Sequence, residues 1–392
     1  MAFQPEEAAP QDLNDDVVTE ILLRLPSAAV LRSRAVCRAW RRIASSPAFA
    51  AAHARRRPLE LIFQRHGPSG ALESIPAAAL DEPQRRCLDV EYPKESCWRG
   101  YNLIASCDGL LLFQRGRGGS SYYVCNPVIR QWTAVLPRPA GTFTLPCGFY
   151  VHGPSREHRL LCLTSDHQGS HYVYSLEAAQ ARRLGQALPV MRLWLDQPIC
   201  SLNHRGKIHW LRHPRVIFST DENVQPHLIA AGDDDKDKIL AFDTVSETFR
   251  RISRPPLRRR DGVAEFFLLE MDGMLAMADF LDGSMHLSVL EDYNDDKSWT
   301  RRLQVYLPAP LQHACWAVNA DVEAAGQDVI LLGDSRTCWV GLYHVKQKRV
   351  LKKFLLADNE RRGSRNPTLV HALLFRDSLE RHNFFHLHHS PQ

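Results

Sequence analysis

No pair of the ten cysteines has C-x-x-C spacing, and no apolar run approaches the ~20 residues that a membrane helix needs. The opening MAFQPEEAAPQD has neither a basic start nor an apolar core, so it reads as neither a secretory signal nor a transit peptide. The cysteines (37, 87, 97, 107, 125, 147, 162, 200, 315 and 338), several of them inside apolar runs, fit reduced, buried thiols of the cytosol or nucleus rather than a disulfide framework or a zinc site. Catalytic signatures are missing too: there is no G-x-S-x-G elbow, no Walker loop and no H-E-x-x-H. Gly116 to Gly119 joins two strands and opens no helix, so it is a hairpin turn and not a phosphate loop. Neither a cofactor nor a metal is expected. Asp233 to Asp237 reads as a solvated acidic loop, and His382, His386, His388 and His389 as a disordered tail.

Charge of one sign is missing from each half of the amino-terminal stretch. Residues 1–23 hold six acidic and no basic residues, and residues 24–57 hold nine arginines and no acid. The remaining 335 residues carry 40 basic against 38 acidic side chains, so the bulk of the chain is nearly neutral and lacks the basic stripe of a nucleic-acid binder. With 44% hydrophobic residues and a mean hydropathy of −0.30, the composition is that of a soluble globular protein, with neither nucleic acid nor membrane expected as a partner.

What is present begins at Leu13. Asn14 caps a helix whose first turn holds Asp15 and Asp16 at the positive end of the helix dipole. Val17, Ile21, Leu22 and Leu25 fall at helical spacing, and Pro26 stops the run. Ser27 caps a second short helix, Val36, Trp40 and Ile43 mark a third, and Ser46-Pro47 starts a fourth that runs towards Arg55. So many apolar residues exceed what a unit of this size buries alone, so it reads as a docking element.

Leu13, Ile21-Leu22-Leu23-Arg24-Leu25-Pro26, Val36-Cys37-Arg38-Ala39-Trp40-Arg41 and Phe49 in that order resemble the F-box. One departure is Asn14, where that family commonly has proline; both suit a helix start. The resemblance implies docking onto a Skp-type adaptor and, through it, a cullin of a ubiquitin ligase, with Leu13, Val17, Ile21, Leu22, Leu25, Pro26, Val36, Cys37 and Trp40 as adaptor-binding residues. Ile21 and Trp40 are expected in the core, and the arginine-rich helices suit an acidic partner surface.

Beyond Arg57 the spacing turns strand-like. Leu59 to Phe63 reads as a strand, and the GPSGALESIPAAALDEP that follows reads as a loop. From Leu103, short β-runs alternate with glycine turns and close on Trp132, Phe249, Trp299 and Phe354, with a degraded closure near Arg182. The separations of 117 (two units), 50 and 55 match a kelch-type propeller period. Five units are legible and the Leu59 segment is a candidate for a sixth; no blade count follows. Trp132, Trp210 and Trp299 read as packing residues.

The units also resemble the F-box-associated domain of plant F-box proteins, through Cys107 to Leu111, Asn126-Pro127, Gln131-Trp132, Gly206 to Leu211, Phe242 to Thr244, and Leu290 to Tyr293 before Trp299. The expected fold class is α plus all-β: a disordered stretch over 1–10, a small helical F-box over 11–57, a large antiparallel β-propeller-like domain over 58–378, and a His-rich tail over 379–392. The implied function is non-catalytic receptor of a ubiquitin ligase. The propeller holds a target protein on loops such as Arg115 to Ser121 and Pro214 to Lys238. Arg55 to Arg57 and Arg258 to Arg260 permit nuclear import. A carbohydrate-binding or carbohydrate-active propeller with a helical cap is the alternative.

Overall fold

The computed structural model describes residues 14–64, 71–76, 85–88, 90, 92, 100–115, 121–135, 144–164, 171–185, 201–211, 238–256, 265–281, 283–309, 311, 316–319, 329–333, 339–355 and 372–387. The chain forms two compact units. One comprises Met1–Pro58 with Arg376–His382, and the other Leu59–Phe375 with Asn383–Gln392. The first holds four helices: α1 (Asp15–Arg24), α2 (Ser27–Ser33), α3 (Arg38–Ala44) and α4 (Pro47–Arg56).

The second unit is a six-bladed antiparallel propeller. Its first blade is built from both ends of the unit's chain, β1 (Glu60–Gln64), β2 (Leu72–Pro76) and β3 (Arg86–Leu88) being joined on the inner side of β1 by the last strand, Ala372–Phe375. The second blade is β4 (Tyr101–Cys107), β5 (Leu110–Arg115), β6 (Ser121–Asn126) and β7 (Gln131–Val135). The third is β8 (Thr144–Val151), β9 (His158–Thr164), β10 (His171–Ser175) and β11 (Gln180–Arg183). β12 (Ser201–His204), β13 (Lys207–Leu211), β14 (Lys238–Asp243) and β15 (Thr248–Ser253) make the fourth. The fifth is β16 (Glu265–Met271), β17 (Met274–Leu281), β18 (Ser284–Leu290) and β19 (Trp299–Tyr306). The sixth is β20 (Trp316–Asn319), β21 (Val329–Gly333), β22 (Trp339–His344) and β23 (Arg349–Leu355). The closing strand is therefore β24, and a single turn, α5 (Phe384–Leu387), follows it.

Two expectations need correction. The stretch read as a loop after Phe63 contains β2, because Leu72, Ser74 and Ile75 are buried against β1 with Leu72 opposite Gln64. The carboxyl-terminal residues are not a disordered tail as far as Leu387: Leu379, His382, Phe384 and Phe385 are buried, the two phenylalanines within the core between the second and third blades. His388, His389, the 1–10 stretch, Gly116 to Gly119, Asp233 to Asp237 and Arg258 to Arg260 lie outside the described residues.

The repeat has a backbone cause. Asp108-Gly109, Arg205-Gly206 and Asp272-Gly273 join the first and second strands of their blades with both residues at positive φ (48° and 78°, 48° and 70°, 51° and 70°). That geometry matches the right-handed twist of paired strands and calls for glycine at its second position. Third and fourth strands are joined by turns that a side chain organises. Asn126 Oδ1 accepts from the Val128 and Ile129 amides (3.1 and 3.4 Å), and Asp243 Oδ1 from those of Val245 and Ser246 (2.9 and 3.0 Å). Antiparallel order puts both kinds of turn at one end of the blades. Segments joining second to third strands, and one blade to the next, leave from the other end.

Sheet packs on sheet. Central strands β1, β5 and β21 are buried along almost their whole length, whereas β11, at a blade's outer edge, is exposed throughout. Each contiguous pair from the first blade to the sixth shares its own apolar cluster.

Candidate docking site

The docking residues are placed by capped helices. Asn14 Oδ1 accepts from the Asp16 amide at 3.2 Å, with Asp15 and Asp16 in the first turn of α1 and Arg24 in its last. Leu25 is extended and Pro26 follows, which ends the helix. Ser46 Oγ accepts from the Phe49 amide at 3.2 Å with Pro47 at the first helical position of α4, as the sequence implied. Ser27 does not cap α2 but opens it, because Pro26 occupies the cap position.

The apolar residues of α1 divide into two stripes a residue apart. Val18 and Leu22 face inward with Leu23, Val30, Ile43, Ala44, Phe49 and Ala50. Val17 and Ile21 face outward at 46% and 39% exposure, and Val36 between α2 and α3 is 64% exposed. Among the described residues these three make up most of the exposed large hydrophobics, the others being Val245 and Tyr306. Their concentration in one short unit sets them apart from scattered surface apolar residues.

Of the expected adaptor-binding residues, Val17, Ile21, Pro26, Val36 and Cys37 are exposed, Leu25 and Trp40 half-buried, and Leu22 fully buried. Leu13 lies outside the described residues. Ile21 and Trp40 were expected in the core. Ile21 projects from α1 about 80° away from the inward Val18–Leu22 stripe, and Trp40 stays half-buried.

The nine arginines do several jobs. Arg57 donates to the carbonyls of Leu25 (2.9 Å) and Leu23 (3.0 Å), closing the end of α1. Arg34 donates to the Ala44 carbonyl from Nη2 at 2.8 Å and Nε at 3.3 Å, closing α3, and Arg41 donates to the Arg34 carbonyl at 2.9 Å. Such cations suit the negative end of a helix. Arg56 forks onto Glu20 with two bonds of 3.0 Å, which holds the Glu20 carboxyl below its usual range, and Arg42 pairs with Asp15. Arg24, Arg32, Arg38 and Arg55 are exposed and have neither hydrogen bond nor ion pair among the described residues. Of the nine, these four are left for an acidic partner.

His53 is fully buried, its Nε2 3.0 Å from the Leu25 carbonyl; burial pushes its pKa below the ordinary value. Its spacing within an alanine-rich helix carried no signal of this role.

On the propeller, several aromatic and charged side chains are committed to packing and to bonds between blades. Trp210 donates from Nε1 to the Cys147 carbonyl of the third blade (2.8 Å), and Trp299 to the Ser253 carbonyl of the fourth (2.7 Å). Trp132 packs on Phe113, Tyr92 and Tyr101, with centroids 4.9, 5.6 and 5.6 Å away. Glu247, in the turn after β14, accepts from Tyr150 Oη (2.8 Å) and Arg159 (2.7 Å) of the third blade and pairs with Arg182 there. Burial and then the Glu247 carboxylate raise the Tyr150 hydroxyl far above its ordinary pKa. The sequence hid this knot because its members are 65 to 97 residues apart. The six described cysteines, three of them buried, are all free thiols. No helix among the described residues is long and apolar enough to cross a membrane.

Helical unit and propeller match known families in the same order. The model of the F-box domain matches residues 10–50, and that of the F-box associated beta propeller domain matches residues 91–379. The chain belongs to the F-box proteins that carry this propeller domain. A putative F-box/kelch-repeat protein of Arabidopsis thaliana is 24% identical over 61% of this chain and 62% of its own length. Two F-box proteins of the same plant are 25% identical over 75% of this chain and 70% of theirs, and 24% identical over 73% and 77%.

Proposed function

We propose that this protein is the substrate-receptor subunit of a Skp–cullin–F-box ubiquitin ligase. The observation that carries the reading is the exposure of Val17, Ile21 and Val36 on a capped, arginine-rich helical unit that already has its own core. Exposed apolar residues and exposed arginines on the same unit suit the acidic, apolar surface of a Skp-type adaptor, and through it a cullin. The propeller holds a target protein. Both candidate recognition segments, Arg115 to Ser121 and Pro214 to Lys238, join second to third strands and so start from the same end of the blades. Recognition is assigned to that end, away from the tight turns. No residue of the chain need act on bonds: tethering raises the concentration of target lysines near the transferring enzyme. The reduced cysteines suit a place in the cytoplasm, the nucleus or both.

The test compares full-length protein with the variant Val17→Asp, Ile21→Asp, Val36→Asp in affinity capture read by mass spectrometry, with the proteasome blocked. The wild type is expected to bring down adaptor, cullin and target. The variant should bring down the target alone and, with the proteasome active, prolong its half-life. Equal capture of cullin by both would defeat the docking reading, and a wild type that captures adaptor and cullin but nothing else would defeat the receptor reading.

A further inference from the structure

The helical unit is not confined to the first 58 residues. Arg376–His382 belongs to the same compact unit, although more than 300 residues separate it from α4. The segment is buried along much of its length. Asp377, Ser378, Leu379 and His382 are 5%, 3%, 1% and 8% exposed, while Arg376, Glu380 and Arg381 face solvent. Ser378 Oγ accepts from the Glu380 amide at 3.2 Å and sets the bend between them.

The buried carboxylate of Asp377 acts on two cations or potential cations of α4 and its end. It favours the charged forms of Arg57 and His53, against the burial that disfavours them. Both side chains grip the carbonyl end of α1: Arg57 on Leu23 and Leu25, His53 on Leu25. At the other end of the segment Arg381 stands near enough to Arg34, which closes α3, to lower its pKa further, after burial. α1 is the helix that presents Val17 and Ile21.

We propose that Arg376–His382 is a strap that completes the F-box unit, with Leu379 its apolar anchor and Asp377 a positioning residue that holds the Arg57 cation on the end of α1. The orientation of the docking helix then depends on a segment from beyond the propeller. An F-box excised at residue 58 is an unfinished unit. The bearing of the strap on docking rests on the function proposed above; its effect on the helices does not.

Hydrogen–deuterium exchange of full-length protein separates the two. In Leu379→Ala, amides of α1 and α4 should exchange faster by roughly thirtyfold or more, the factor expected where loss of a buried leucine raises local opening. In Asp377→Asn, which is nearly isosteric and so keeps the test open if the first variant fails to fold, the same peptides should accelerate several-fold. Asp377→Glu should largely restore them, while strands β5, β13 and β21 stay unchanged in all three. Unchanged exchange of α1 and α4 in folded variants would overturn the strap, as would equal acceleration in the blades. Purified Skp-type adaptor added to the same proteins reads the dependence of docking: its affinity should fall in the order of the exchange rates. Adaptor that binds not even the wild type, alongside the expected exchange, would remove the docking reading and leave the strap standing.

Discussion

Replacing Ile21 and Val36 by alanine together should weaken adaptor binding by more than an order of magnitude and leave the free protein folded. Fully burying a valine or isoleucine side chain contributes about 1.5–3 kcal/mol. With 39% of Ile21 and 64% of Val36 still facing solvent, docking has close to 1 kcal/mol left to gain at each, about 2 kcal/mol in all. At about 1.4 kcal/mol per decade that is roughly thirtyfold in Kd. The part of Ile21 already buried makes its truncation cost the free protein about 1–1.5 kcal/mol, and the more exposed Val36 adds about 0.5 kcal/mol. Leu22→Ala is the contrasting case. Its side chain is fully buried, so truncation should cost about 2–5 kcal/mol of folding stability and affect binding only through unfolding. Titration calorimetry with a purified Skp-type adaptor gives the Kd, and thermal unfolding followed by circular dichroism gives the stability. A double variant that stays folded with its Kd changed less than about threefold would refute the outward stripe as the docking surface.

Further outcomes concern the propeller. His209 is fully buried with Nε2 2.9 Å from Tyr293 Oη, and its pKa is pulled down to about 4, mainly by burial. Because the folded pKa lies below the unfolded one, its contribution is complete above pH ~6.5 and is lost as the pH falls towards ~4, by up to about 3 kcal/mol. Denaturant midpoints measured from pH 7 to 4.5 should therefore fall less steeply in His209→Gln than in wild type, and parallel slopes would contradict this. Gly148→Ala puts a Cβ 2.8 Å from Ile208 Cδ1, across the third and fourth blades, and should destabilise by about 1–3 kcal/mol. Adding Ile208→Val removes that methyl, so the double variant should regain part of the loss; strict additivity would show that the clash is not the cause. Glu247→Gln, which takes from Arg159 the more buried of its two carboxylates and leaves it Glu157, should cost about 2 kcal/mol in guanidinium unfolding, and a neutral result would mean the knot contributes nothing between blades.

Local chemistry was readable. Asn14, Ser46-Pro47, Asp108-Gly109 and Asp272-Gly273 act within a few residues of themselves, so the sequence shows the cap or turn directly. Features built from distant residues were not. β2 sits in an alanine- and proline-rich stretch and is a strand because β1 pairs with it, and β24 has its partner at the opposite end of the unit. Arg57 and Arg34 looked like surface charge, since nothing in the sequence says which carbonyls a guanidinium will reach. The docking residues were found by motif, but periodicity alone could not separate Ile21, outside, from Leu22, inside, because both lie near the edge of one apolar arc.

The pairing of β1 with β24 bears on the rate at which the protein reaches its native state. Glu60 opposes Phe375, a separation of 375 − 60 = 315 residues, whereas each of the other five blades pairs strands from one contiguous stretch. Closing a loop of that length costs about 5 kcal/mol of chain entropy beyond a constant term, against little for a hairpin. The five contiguous blades can form early, and the closing strand comes last. During synthesis at about 5–20 residues per second, β1 waits on the order of 15–60 s with its inner edge unpaired. Leu61, Ile62 and Phe63 on that strand are almost wholly buried once the circle is closed, so for that interval they form an apolar strand edge open to other chains. Substitutions that weaken β24 should therefore show first as lower soluble yield and greater demand for chaperones, before any change in the affinity of molecules that have closed.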